Sequence, residues 1–197
     1  MGCHGAPSID DGRWGARVRL GPRGLDEIVT LGNRPSLCDR ERRMSDAVQH
    51  FAEAEQRVFA RHGLAVTTRS VKLPESPFRV RVLECGEGQP IVLVAGDGGI
   101  AAAWAPLLAK LPGRRLIVLD RPNFGLGASF DYRGADLRGH GVALLNSLLD
   151  ALGLEAVPIV GSSGGGQWSM WLALDAPERV RALAPMSSPA VCRASAG

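Results

Sequence analysis

Residues 156–176, AVPIVGSSGGGQWSMWLALDA, run from a short apolar strand through a glycine-serine turn into an apolar helix. Within this stretch Gly161-Ser162-Ser163-Gly164-Gly165 fits G-x-S-x-G, the turn that lifts a nucleophilic serine off the end of a strand. A serine at so tight a turn sits in strained backbone geometry, and side chains two residues to either side would collide. Gly161 and Gly165 remove that collision for Ser163, whereas Ser162 would need glycine where Val160 stands. The register therefore picks Ser163. The helix behind it aims its first amides and its dipole at any negative charge that develops beside the hydroxyl. An ordinary glycine turn closing a β-α unit is the plainer reading of the same string. A phosphate loop fits worse, because Gln167 and Trp168 stand where Lys and Ser/Thr would hold the phosphate and its magnesium.

The segments before this turn repeat its pattern. Residues 65–73 and 78–84 read as two strands around Pro74-Glu75-Ser76-Pro77, a hairpin in which Phe78, Val80 and Val82 alternate with Arg79 and Arg81, leaving one face wet. Ile91–Ala95 is a continuous apolar strand, followed by a glycine-rich loop and a helix starting near Trp104-Ala105-Pro106. Leu116–Asp120 is the next, followed by a loop over 121–129 and a helix from about Asp136 to Leu152; Ala156–Val160 and Val180–Ala184 are the last two strands. Continuous apolar strands alternating with amphipathic helices mean an α/β fold with a mostly parallel sheet covered on both faces, here preceded by an antiparallel hairpin.

Composition narrows the function classes. A chain of 197 residues with 45% hydrophobic content can bury a core. Its net charge of +3 is small and scattered, which argues against a nucleic-acid partner. Cys3, Cys38, Cys85 and Cys192 form no C-x-x-C pair, and the histidines are equally dispersed, so no metal site is expected. No apolar run is long enough to span a membrane and no signal peptide opens the chain, which reads as a soluble cytoplasmic protein. Residues 1–43, rich in glycine, arginine and acidic groups, read as a disordered or mis-annotated leader, and 44–197 as the domain. A helix capped by Ser45 or Asp46 starts the domain, with Val48, Phe51, Ala52, Val58 and Phe59 on its apolar side and Gly63 as its stop. Met44 could then be the true start, which the intact mass of natively expressed protein would decide.

Gly96-Asp97-Gly98-Gly99-Ile100-Ala101 also matches the dinucleotide fingerprint G-x-G-x-x-A, with Asp120 as a ribose acceptor at the end of the next strand. A Rossmann-type helix would start inside those glycines, however, and would then contain Pro106, at a cost of about 3 kcal/mol. Pro106 suits a first helical turn, which begins the helix too late to serve the glycines.

Hairpin, strand, glycine loop, tryptophan-bearing helix, strand ending in Asp and serine elbow together resemble the α/β-hydrolase fold over about residues 48–191. The resemblance is carried by Asp120-Arg121-Pro122-Asn123-Phe124-Gly125-Leu126-Gly127, by the Ser163 elbow and by Pro177-Glu178-Arg179-Val180. It implies hydrolysis of an ester, lactone, amide or carbon–carbon bond in a small molecule, without a cofactor. It also implies Ser163 as nucleophile, with the amides of Gly164 and Asp97 as oxyanion donors. A plain tight turn is the alternative reading of Gly96, Gly98 and Gly99, whereas Trp104, Trp168 and Trp171 read as core rather than as substrate contacts. Asp120 reads as a carboxylate that organises loops. The chain departs from the family in having Ala95-Gly96 where His-Gly is usual, and Asp97 brings a carboxylate toward the oxyanion unless its side chain turns away. Pro185 fits the last strand only if that strand is an edge.

In this fold the acid and the histidine follow the serine in sequence. No histidine follows Ser163, and the later carboxylates Asp175 and Glu178 lie on and after the helix behind the elbow, facing solvent. His4, His50, His62 and His140 precede the serine and fit the role of base poorly. The expectation is an incomplete hydrolase core, truncated before the last strands, the lid, the acid and the histidine, with Val180–Ala184 as an exposed edge. A non-catalytic remnant or binding module is the alternative.

Overall fold

The computed structural model describes residues 37–74 and 79–188. Six strands form one sheet: β1 (Thr67–Lys72), β2 (Arg79–Cys85), β3 (Gln89–Val94), β4 (Arg114–Asp120), β5 (Val157–Ser162) and β6 (Val180–Met186). They lie in the order β1-β2-β4-β3-β5-β6. β1 pairs antiparallel with β2, and β2 antiparallel with β4, while β4, β3, β5 and β6 run parallel. The helices are α1 (Leu37–Arg61), α2 (Ala105–Leu108), α3 (Leu137–Ala151) and α4 (Gly164–Asp175). The α/β reading, a mostly parallel sheet opened by an antiparallel hairpin, therefore holds. The hairpin's turn lies largely at 75–78, outside the described residues.

Alternation along the strands builds two cores. Val80 and Val82, Val92 and Val94, and Ile117 and Leu119 point to one face, against Leu144, Leu145 and Leu148 of α3 and Trp168 and Leu172 of α4. Leu83 and Cys85, Leu93, and Leu116 and Val118 point to the other, against Phe59 of α1 and the segment Ala101–Leu108. Val48 onward forms one compact unit, and both cores lie within it.

Two readings change on the structure. α1 starts at Leu37, not at Ser45 or Asp46, which lie inside it. Residues 40–50 are all exposed, so nothing there requires an apolar face, and Arg and Glu are good helix formers. The earlier part of the supposed leader, 1–36, falls outside the described residues. The supposedly wet face of β2 is also only half so. Arg79 is exposed, but Arg81 is 12% exposed and bonded to buried Glu55 of α1. The glycine loop leads, as the position of Pro106 anticipates, into a 3-10 turn, Ala101–Trp104, and the short α2 with Pro106 in its first turn.

Two prolines sit where strand physics allows them. Pro185 is in β6, which among the described residues pairs only with β5 and lies at the sheet's edge, so its missing N–H leaves no gap in that ladder. Pro158 in β5 coincides with a register shift between Val157 and Pro158.

Candidate active site

Ser163 occupies the junction of β5 and α4 with φ 48° and ψ −124°. That conformation is unfavourable for an L-residue, costing on the order of 1–3 kcal/mol, and persists only where the surroundings enforce it. They do so at both ends of the residue. Its N–H donates to the Met186 carbonyl at 2.9 Å, and its carbonyl accepts from the Gln167 N–H at 3.0 Å and from Ser188 Oγ at 3.2 Å. The hydroxyl itself is half-buried and makes no hydrogen bond among the described residues.

The glycines around the elbow are set by its neighbours. A Cβ on Gly161 would lie 2.5 Å from Gly166 Cα, and one on Gly165 would drive into the Val94 and Ala95 carbonyls. The collision is thus with the first turn of α4 and with the end of β3, not with the serine side chain. Gly96, just past β3, brings the glycine loop against the elbow: a Cβ there would be 2.8 Å from Ser163 Cβ. Asp97 follows, its Oδ2 2.6 Å from where a Cβ on Gly164 would stand. Ser163, Gly164 and Asp97 therefore lie together.

The Asp97 carboxylate is 71% exposed and pairs with the guanidinium of Arg121, whose side chain is only 2% exposed. The carbon of that guanidinium lies 4.6 Å from the Trp168 ring centroid and 5.2 Å from that of Phe124. These groups, with Gly164 and Trp171, line a cavity of about 260 Å³ beside the elbow. Trp168 is both core and cavity wall, and Trp171 lines the cavity too, so the core-only reading of these two is incomplete. Arg121 is legible in the sequence only as a letter in the Asp120–Gly127 string; a loop has no periodicity that would reveal its burial.

Asp120 holds the two loops flanking the site. Its carboxylate is 1% exposed, accepts from Arg81 at 2.5 Å, from the Ala101 N–H at 3.3 Å and from the Leu126 N–H at 3.4 Å. Gly125, at φ +57°, lets that loop close on it, since a Cβ there would meet the carboxylate at 2.8 Å. With its oxygens so engaged and buried, Asp120 is a loop organiser and is not offered to a ribose.

The model of the alpha/beta hydrolase fold matches residues 89–194, more than half of the chain. The chain belongs to the α/β-hydrolase family. Among its relatives is the 2-hydroxy-6-oxo-2,4-heptadienoate hydrolase of Pseudomonas putida, 37% identical over 117 residues that make up 53% of this chain and 39% of the relative. Another is the 2-hydroxy-6-oxononadienedioate/2-hydroxy-6-oxononatrienedioate hydrolase of Escherichia coli, 32% identical over 132 residues, 62% of this chain and 45% of the relative. Of the solved structures, the 2-hydroxy-6-oxo-6-phenylhexa-2,4-dienoate hydrolase of Rhodococcus sp. strain RHA1 superposes with a TM-score of 0.52 at 26% identity, covering 64% of this chain and 48% of that one. The chain spans less than half the length of these curated relatives.

Within this α/β-hydrolase scaffold the other ionisable candidates are accounted for. His50 and His62 are exposed, at and just beyond α1, and His4 lies outside the described residues. Asp175 is held by Arg138 at 2.5 Å, which keeps its carboxyl below the usual range, and Glu178 is exposed. His140 of α3 belongs to an aromatic cluster. It stacks on Phe130 with ring centroids 4.1 Å apart and meets Trp168 and Tyr132 edge-on at 5.6 and 5.5 Å. Phe130 and Tyr132 alternate along an irregular segment, a pattern too short to announce an aromatic cluster.

Burial pushes the His140 pKa below its ordinary value of 6.5. The unfolded chain then binds the proton more readily, so stability falls as pH drops below the unfolded value, and the loss is complete below the folded one. The melting temperature should be lower at pH 5.5 than at pH 7.5, and His140→Phe should narrow that difference. An unchanged difference would assign it to other groups.

Proposed function

We propose that this chain carries the nucleophilic half of a serine hydrolase that acts on a small, carbonyl-bearing molecule in the cytoplasm. Ser163 Oγ attacks the carbonyl carbon, the amides of Gly164 and Asp97 hold the resulting oxyanion, and the leaving group departs with a proton. Water then hydrolyses the acyl-serine. The reading rests above all on one observation: Ser163 keeps left-handed torsions where β5 meets α4, with Gly96 pressed against its Cβ. The ion pair with Arg121 supports the Asp97 assignment, because it offsets a carboxylate that would otherwise repel the oxyanion. The hydrolase names of the relatives favour hydrolysis over other chemistry of this fold. An ester is the simplest substrate.

A second reading is a non-catalytic member of the same fold. It is favoured by the engagement of Asp175 with Arg138. On the enzymatic reading the base comes from polypeptide beyond these residues, as in a longer gene product. A fluorophosphonate probe separates the two. Folded protein should be labelled at Ser163, and Ser163→Ala should abolish the adduct. Folded protein that takes up no label would leave the non-catalytic reading.

A further inference from the structure

Arg121 is nearly inaccessible, yet the acyl chemistry uses it only to offset a charge. A guanidinium taken out of water needs an anion beside it and acceptors for its N–H groups. Here a single carboxylate supplies the anion, and the Arg121 Nε–H is buried without an acceptor among the described residues. The rings of Trp168 and Phe124 lie against the cation, so its polar approach is the edge that Asp97 occupies.

The two partners of this ion pair are unequal. Asp97 is 71% exposed, and Arg121 is the one residue its carboxylate bonds among the described residues. It can exchange the guanidinium for water at little cost, as exposed carboxylates do. Arg121, 2% exposed, has no such exchange available and must keep an anion. Both line the same cavity of about 260 Å³, whose walls are mainly the aromatic Phe124, Tyr132, Trp168 and Trp171, with Leu137, Gly164 and Gln167 completing them. That volume is just below the usual range for drug-sized ligands and suits a smaller one.

We propose that Arg121 anchors a carboxylate-binding subsite next to Ser163, with Asp97 as its displaceable counter-ion. The ligand is a small carboxylate with a flat or apolar body. Its carboxylate takes the place of Asp97 on the guanidinium, its body lies against Trp168 and Trp171, and the Asp97 side chain turns to solvent. That such a ligand is also the substrate rests on the hydrolase reading of Ser163; binding does not.

The experiment is a titration of the full chain with benzoate and with benzamide, its uncharged counterpart, followed by calorimetry and by quenching of tryptophan fluorescence. Benzoate should bind about tenfold more tightly, the value of one charge-assisted contact. Asp97→Asn removes the competitor for Arg121, and should tighten benzoate by about tenfold while leaving benzamide unmoved. Arg121→Met should erase the preference; if that variant does not fold, Arg121→Lys, which keeps the charge but not the fork, should weaken it. A purely structural Arg121–Asp97 pair predicts the opposite sign for Asp97→Asn. Benzamide binding as well as benzoate, weaker benzoate binding by Asp97→Asn, or no binding of either compound overturns the subsite. Fluorophosphonate labelling of Ser163 reads the nucleophile separately: label without benzoate preference removes only the subsite, and preference without label removes only the nucleophile.

Discussion

Gly165→Ala should destabilise the protein by about 2 kcal/mol or more and abolish labelling of Ser163, although alanine is the better helix former. Two effects oppose each other at this position. Gly165 lies in the first turn of α4, where alanine gains about 1 kcal/mol in helix propensity. Its Cβ, however, would stand inside the carbonyls of Val94 and Ala95, backbone atoms at the end of a central strand that cannot rotate aside. Overpacking of a fixed interior costs about 1–3 kcal/mol and more where only backbone can yield, so the collision wins. Relief requires α4 to lift from β3, which also parts Ser163 from Gly96. Gly139→Ala in α3 is the control. The Cβ there meets the Asp136 carboxylate, a side chain that can turn aside at the cost of the cap it gives the Arg138 N–H, so that loss and the gain in helix propensity should nearly cancel in a urea titration. Equal losses at both positions would show that helix glycines, not the β3 carbonyls, set the cost.

That pair of glycines also marks what can be read from the sequence. The G-x-S-x-G string identifies the elbow because its constraint is local: strand, turn and helix are consecutive, and each glycine answers to an atom a few residues away or on the adjoining strand. Strand alternation likewise places Val80, Val82, Val92 and Val94 in one core without knowledge of the topology. Asp120 reads as a loop organiser for a similar reason, since the Asp120–Gly127 segment turns back on its own first residue. The helix onset at Leu37 escapes such a reading because an exposed, charged helix carries no apolar stripe, and Ser45 and Asp46 imitate a cap. Arg121 and the aromatic wall escape it because residues from a loop, α3 and α4 meet only after the sheet has formed.

Arg79 and Arg81 make the same point in energetic terms, and Arg81→Met should cost about 3–5 kcal/mol where Arg79→Met costs less than about 1. In the sequence the two are equivalent, alternating with valines on one side of β2. Arg79 is exposed and donates to Ser70 Oγ at 2.8 Å, a bond that water can replace. Arg81 lies between Glu55, 3% exposed, and Asp120, 1% exposed, and bonds to both. Removing it leaves two carboxylates out of water with no cation between them, which is the costly way to break a buried ion pair. The damage reaches the site, because Asp120 fixes the loops at Ala101 and Leu126 through the same carboxylate. Arg81→Met combined with Glu55→Gln and Asp120→Asn should recover much of the loss in stability. It should not recover the loop geometry, since a side-chain amide at position 120 can present only one acceptor oxygen to the two backbone N–H groups. A triple variant no more stable than the single one would mean that Arg81 contributes through packing of its stem rather than through its charge.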